Sequence, residues 1–130
     1  MTARSGAIAA LLACAPLLLA AAPPAPAIDA GALAATGPAR RCLPETTVKG
    51  YRIVGGGKWL MVQGIGRRWW RSPLAACRLP VRSYIIERRN SVGQMCRQDP
   101  FYLVDPFTRA DLTYCNMGDF TPVAVSSPPA

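Results

Sequence analysis

The sequence predicts an all-β or β-dominated fold: a small barrel or sandwich of about six to eight short antiparallel strands, stapled by disulfides. Runs of β-branched and aromatic residues alternate with glycine-rich turns, which is the pattern of strands and hairpins. No stretch of about ten residues shows a clean helical period. Four cysteines follow an apolar N-terminal segment, and so small a core needs such cross-links.

The first half of the domain predicts a three-stranded meander. Residues 48–54 are β-branched and aromatic, residues 58–63 alternate between two faces, and residues 67–72 form the third strand. Glycine-rich turns at residues 55–57 and 64–66 separate them.

The second half predicts shorter strands. Pro73 starts an irregular connection that holds Cys77, with one helical turn at residues 74–77. A hairpin is expected around the loop at residues 105–109. The expected strands of this half are residues 81–88, 94–97, 101–104, 111–116 and 120–125.

The N-terminal residues 1–27 have the features of a signal peptide. Arg4 precedes an apolar run at residues 7–22, and Ala25 and Ala27 form an A-x-A cleavage site. The run is too short, and too interrupted by Pro16, to predict a transmembrane helix. We then expect a linker at residues 28–40, the domain at residues 41–125 and a disordered tail at residues 126–130.

A lipobox is the competing processing signal. Leu11-Leu12-Ala13-Cys14 has its shape, and Cys14 would then become the acylated first residue. Ordinary cleavage is favoured because the lipoprotein signal would be short and the apolar residues 15–22 would stay on the mature chain. The expected location is therefore periplasmic or secreted, and the alternative is a lipid anchor in the cell envelope.

The cysteines predict two disulfides. Removal of the signal leaves Cys42, Cys77, Cys96 and Cys115, and an even number in a small exported domain is typical of a disulfide framework. Three pairings are open. A zinc site is disfavoured because the gaps are long, there is no C-x-x-C pair and the chain has no His.

Positive charge is concentrated in one part of the chain. The formal net charge of +8 becomes +7 without Arg4. Residues 40–99 hold thirteen basic and three acidic side chains, whereas residues 100–130 hold one Arg and three Asp. This asymmetry indicates either an anionic partner or charge pairing between the two halves.

Catalysis has little support in the sequence. The absence of His removes the usual general base and the usual triads, and no spacing singles out a pair of carboxylates. Lys58 follows three glycines, but Trp59 and a strand pattern come next, so this is a hairpin turn and not a phosphate loop. We predict no catalytic residue, metal ligand or cofactor; a hydrolase-type enzyme is the alternative class.

The most distinctive local feature is the run Arg67, Arg68, Trp69, Trp70 and Arg71. Guanidinium groups bind phosphates, and indole rings favour polar–apolar boundaries. We therefore predict a non-enzymatic binding or structural module of the cell envelope, whose basic face binds anionic lipid, lipopolysaccharide or an acidic envelope protein; export disfavours nucleic acid. A membrane-active defence polypeptide is a further alternative. Neighbouring strand residues point to opposite faces, so at least one of the two tryptophans is expected in the core.

The order of several short motifs carries a family resemblance. The motifs are Cys42-Leu43-Pro44, Val48, Tyr51, a hairpin, Arg68-Trp69-Trp70-Arg71, Leu74, Cys77, Cys96, Phe101-Tyr102-Leu103-Val104-Asp105 and Cys115. In this order, over residues 41–117, the chain resembles a family of small proteobacterial exported proteins known only as a domain of unknown function, many of which look like lipoproteins. The resemblance implies a compact, four-cysteine, β-rich envelope protein and carries no activity. The chain departs from the pattern in its longer loop before Cys115 and its weak lipobox.

Overall fold

The computed structural model describes residues 29–75, 77–89 and 93–126. The predicted signal peptide, Cys14 and residues 127–130 of the predicted tail lie outside these ranges. The described part is β-dominated, as predicted, with nine strands and four three-residue 3₁₀ turns. The strands are β1 Cys42–Pro44, β2 Val48–Val54, β3 Trp59–Gly64, β4 Trp69–Ala75, β5 Ile85–Glu87, β6 Gln94–Cys96, β7 Pro100–Val104, β8 Asp111–Met117 and β9 Thr121–Val123.

Seven strands form one antiparallel sheet that curls into a half-barrel. Its order is β2-β3-β4-β8-β7-β5, and β9 also pairs with β4. The first half of β4 pairs with β9, and its second half pairs with β8. The strands β1 and β6 make a separate two-stranded ribbon. Strand β4 therefore joins the N-terminal meander to the C-terminal hairpin.

The meander and the hairpin occur where the sequence predicts them, with shifted ends. Strand β4 starts at Trp69 because Arg67 has a left-handed backbone (φ 61°) and belongs to the turn. The helical turn predicted at residues 74–77 is wrong for Leu74 and Ala75, which extend β4 and pair with β8. Ala76 lies outside the described residues.

Three of the later strands are shorter than expected. The predicted strand at residues 81–88 reduces to Ile85–Glu87, the one at 94–97 ends at Cys96, and the one at 120–125 reduces to Thr121–Val123. Gln98, two residues after Cys96, has a left-handed backbone (φ 69°), which turns the chain out of the ribbon. Short segments of this kind lack the long alternation that would locate their ends.

The two faces of β3 carry two separate cores. Leu60 and Val62 are buried in the main core, whereas Met61 is buried on the other face. This is the period of two that a strand imposes. The buried members of the main core are Leu43, Leu60, Val62, Trp70, Met95, Phe101, Leu103, Cys115, Met117 and Phe120.

Residues 29–40, which we call the strap, cover the second face. The sequence predicts a linker here, but Ala30 is fully buried with Met61 and Val123. Thr36 N–H donates to the Pro122 carbonyl at 2.9 Å, and Arg40 and Phe120 exchange two backbone hydrogen bonds. Residues 29–40 are therefore part of the packed domain. The strap is held by isolated backbone bridges and by one small buried residue, Ala30. Such contacts produce no periodic pattern of apolar side chains, so the sequence does not predict this packing.

Two disulfides are formed, Cys42–Cys96 and Cys77–Cys115. The first joins facing residues of the ribbon, and the second ties the irregular connection to β8. They close loops of 54 and 38 residues, and a chain-entropy model gives about 4 kcal/mol of stabilisation for each. The prediction of a disulfide-stapled domain is confirmed. Among the described residues, no helix is long and apolar enough to cross a bilayer.

Replacement of Gly64 by Ala should lower the free energy of unfolding by about 1–3 kcal/mol, as expected for an overpacked core. A Cβ atom at Gly64 would lie 2.3 Å from Cζ3 of Trp70, which is itself in the core. Gly50→Ala is the matched control, because a Cβ atom there meets nothing within 4 Å. Urea unfolding of both variants checks this, and equal stabilities would contradict the proposed contact.

Candidate functional site

Both tryptophans of the Arg/Trp run are packed into the fold. Trp70 is only 6% exposed and belongs to the main core, opposite Val62 on β3. Trp69 points the other way and packs, half-buried, against the cluster of Ala30 and Met61. We expected at least one of the two tryptophans in the core, and Trp70 confirms this. Trp69 is packed as well, so neither ring is free to act independently of the fold.

Arg71 is occupied inside the molecule. Its Nη1 donates to the carbonyl oxygens of Ala30, Gly31 and Leu33 at 2.9, 3.1 and 2.6 Å. Its guanidinium carbon also lies 5.6 Å from the ring centroid of Trp59, within the range of a cation–π contact. Arg71 therefore anchors the strap instead of presenting its charge beside Arg67 and Arg68.

Arg67 and Arg68 occupy the exposed turn between β3 and β4. The turn is closed by Gly64 N–H, which donates to the Arg68 carbonyl at 2.8 Å. Gly66 and Arg67 both have a left-handed backbone, with φ 70° and 61°. Glycine adopts this conformation without penalty, but a side chain such as arginine strains it. Strain of this type is concentrated at functional positions.

A third arginine, Arg40, lines the same region from the strap. One groove of about 410 Å³ runs between the strap and the start of β4, and we call it the strap groove. A second groove of about 470 Å³ lies on the side of Ile65, and we call it the turn groove. Arg40, Arg68 and Trp70 line both grooves. Arg67 lines the strap groove and also a third depression beside Trp69.

Sequence reasoning missed Arg40 because it is distant in the chain from the Arg/Trp run. Its place is set by the two backbone hydrogen bonds to Phe120, next to β9, which pairs with Trp69 and Trp70. The pairing of β9 with β4 is long-range, so no local pattern announces it. We call Arg40, Arg67 and Arg68 together the basic face.

Most arginines away from the basic face are paired with acidic side chains. Arg89 contacts Glu87 and Asp111, and it lowers the pKa of Asp111. The further ion pairs are Arg82–Asp105, Arg88–Glu45, Arg97–Asp119 and Arg109–Glu87. Pairing between the two halves of the chain thus accounts for part of the charge asymmetry.

The basic face, in contrast, keeps its charge. Within the described residues, none of its three guanidinium groups contacts a carboxylate. The residues lining the two grooves and the third depression include no Asp or Glu. Positive charge without a local counter-charge, next to an indole, suits an anionic ligand.

Comparison of the chain with protein-family models, with curated proteins and with solved structures finds no match. The resemblance to the exported four-cysteine family stays a prediction. In the described ranges, no three His, Cys, Asp or Glu side chains gather in a group able to hold a metal ion.

Arg71→Gln should lower the free energy of unfolding by about 1.5–3 kcal/mol, because hydrogen bonds made by a charged group stabilise by about that amount. The same change at Arg52, exposed on β2, removes one charge without such bonds and is the control. We expect the strap amide of Ala32 and those of β9 to exchange faster in the Arg71 variant alone. Equal exchange and equal urea midpoints in the two variants would show that Arg71 does not anchor the strap.

Proposed function

We propose that this chain is an exported, non-enzymatic binding module whose basic face holds phosphate-bearing material of the cell envelope. The observation that carries the proposal is the convergence of Arg40, Arg67 and Arg68 on grooves walled by Trp69 and Trp70 and lined by no carboxylate. Export is supported by the predicted signal peptide at residues 1–27 and by the two disulfides, which fit an extracellular or periplasmic location.

The basic face suits an oxyanion such as phosphate, although guanidinium groups pair with carboxylates in the same way. A guanidinium group donates two parallel hydrogen bonds to a phosphate and stays charged at any physiological pH. Arg67 and Arg68 are adjacent on a closed turn, and Arg40 is fixed through its backbone. The backbones of these residues are therefore in place before binding, and only their side chains have to become ordered. Anionic lipid headgroups and lipopolysaccharide both present such phosphates, whereas an acidic protein presents carboxylates.

The alternatives have less support. A hydrolase that works with a pair of carboxylates has less support, because Glu45, Glu87, Asp105, Asp111 and Asp119 each contact an arginine. A membrane-active defence polypeptide would need a mobile Arg/Trp segment, but Trp70 and Arg71 are built into the fold. Processing by a lipobox at Cys14 would place the same basic face on a membrane-anchored protein.

The double variant Arg67→Asn, Arg68→Gln should bind anionic vesicles about thirtyfold more weakly than the wild type, since each basic residue near such a surface contributes about 1 kcal/mol. Asn tolerates the left-handed backbone of residue 67, so stability should be retained. Binding to vesicles that contain phosphatidylglycerol is measured at low and high salt, with neutral phosphatidylcholine vesicles as reference.

The control variant Lys58→Gln, Arg78→Gln removes the same charge from exposed residues near the opposite end of β3 and should stay within about threefold of the wild type, because distant charges are screened. An equal loss in both variants would reduce the effect to net charge and contradict a defined site. Absence of wild-type binding at low salt would overturn the proposed function, and equal binding of polyglutamate would assign the basic face to an acidic protein.

A further inference from the structure

The turn groove has apolar walls as well as two arginines. Leu43 and Trp70, both buried members of the main core, line it together with Pro44. Ile65 lines it from the turn and is 55% exposed. Thr47 also lines the groove, and its hydroxyl donates to the Pro44 carbonyl at 2.7 Å. These walls present apolar atoms next to the guanidinium groups of Arg40 and Arg68.

Ile65 is an unusual residue for its position. Tight turns favour Gly, Asn, Asp or Ser, which supply backbone freedom or local hydrogen bonds. Ile65 does neither, and it leaves a large aliphatic side chain half in water. The groove that it borders has a volume of about 470 Å³, which falls within the range of roughly 300–1,000 Å³ typical of small-molecule sites.

We propose that the turn groove takes one acyl chain of a phosphate-bearing lipid, with the lipid phosphate on Arg40 and Arg68. The proposal rests on the proposed function, because it assigns the phosphate to the same basic face. A bare polyanion would gain nothing from the exposed apolar surface of Pro44 and Ile65, whereas an acyl chain would remove that surface from water. The occupant that matches both the charge and the walls is an anionic amphiphile.

The two most exposed large apolar residues among those described do not offer this combination. Phe107 and Val81 are 90% and 108% exposed, and they lie on two loops that an Arg82–Asp105 ion pair connects. Arg109, at the end of the Phe107 loop, pairs with Glu87. Arg82 and Arg109 are thus paired with carboxylates, unlike Arg40 and Arg68 at the turn groove. Charge and apolar surface coincide at the turn groove.

The dependence of binding affinity on the length of an alkyl chain tests the proposal. We expect the affinity of the intact protein for hexyl, octyl and decyl phosphate, measured by calorimetry below their micelle concentrations, to rise with each methylene by up to about fourfold. Ile65→Ser should reduce that dependence while leaving binding of inorganic phosphate, which has no alkyl chain, within about threefold of the wild type. Val81→Ser, a change of similar chemistry at a fully exposed site away from the groove, should behave as the wild type.

The outcomes separate this proposal from the one on which it rests. Salt-sensitive vesicle binding with no chain-length dependence would overturn the acyl-chain site and leave the basic face in place. Chain-length dependence that survives Ile65→Ser would also overturn the proposed location. An alkyl-phosphate affinity that is unaffected by Arg68→Gln would remove the phosphate from the basic face. Failure of every anionic probe at low salt would overturn both proposals.

Discussion

The contact between Trp70 and Gly64 lies in the main core, where β3 pairs with β4. The six-membered ring of Trp70 occupies the space that a side chain at residue 64 would need. This contact fills the main core beside Val62 and brings the end of β3 against the start of β4. Since β4 also pairs with β9 and β8, one buried indole links the meander to the C-terminal half. In a chain with so small a core, a single large aromatic residue contributes a large share of the burial.

The three arginines of the Arg/Trp run divide between fold and surface. Arg71 anchors the strap through three carbonyl oxygens, and the strap in turn brings Arg40 next to the turn. Arg67 and Arg68 are left facing solvent on a turn that the Trp70 contact holds in place. The basic face is thus a product of the same interactions that stabilise the sheet. Its arginines are held by backbone bonds and not by ion pairs, which leaves their charges available to a ligand.

The local features of this fold were predictable from the sequence, and the long-range ones were not. The strands β2 and β3 and the β7–β8 hairpin follow from alternation and from turn residues, which act over a few positions. The cysteine pairing, the packing of the strap and the inclusion of Arg40 depend on segments that are far apart in the chain. The predicted helical turn at residues 74–77 failed because β4 continues on a new partner, β8, which no local pattern shows. Tertiary pairing overrode local preference there.

The candidate site was predicted in part. The run of Arg67, Arg68, Trp69, Trp70 and Arg71 lies at the grooves, but only Arg67 and Arg68 present free charge. The structural role of Arg71 is invisible in sequence because its partners are main-chain carbonyls of residues 30–33. Charge counting likewise overstated the basic surface, since Arg82, Arg89 and Arg97 pair with carboxylates of the C-terminal segment.

Hydrogen exchange of the intact protein, with and without phosphatidylglycerol vesicles, tests whether the basic face and its two grooves contact anionic lipid. We expect slowed exchange to be confined to the strap near residues 36–40 and to the turn at residues 65–68, which border the two grooves. Slowed exchange at the Phe107 loop or along β5, with no change at the turn, would contradict it.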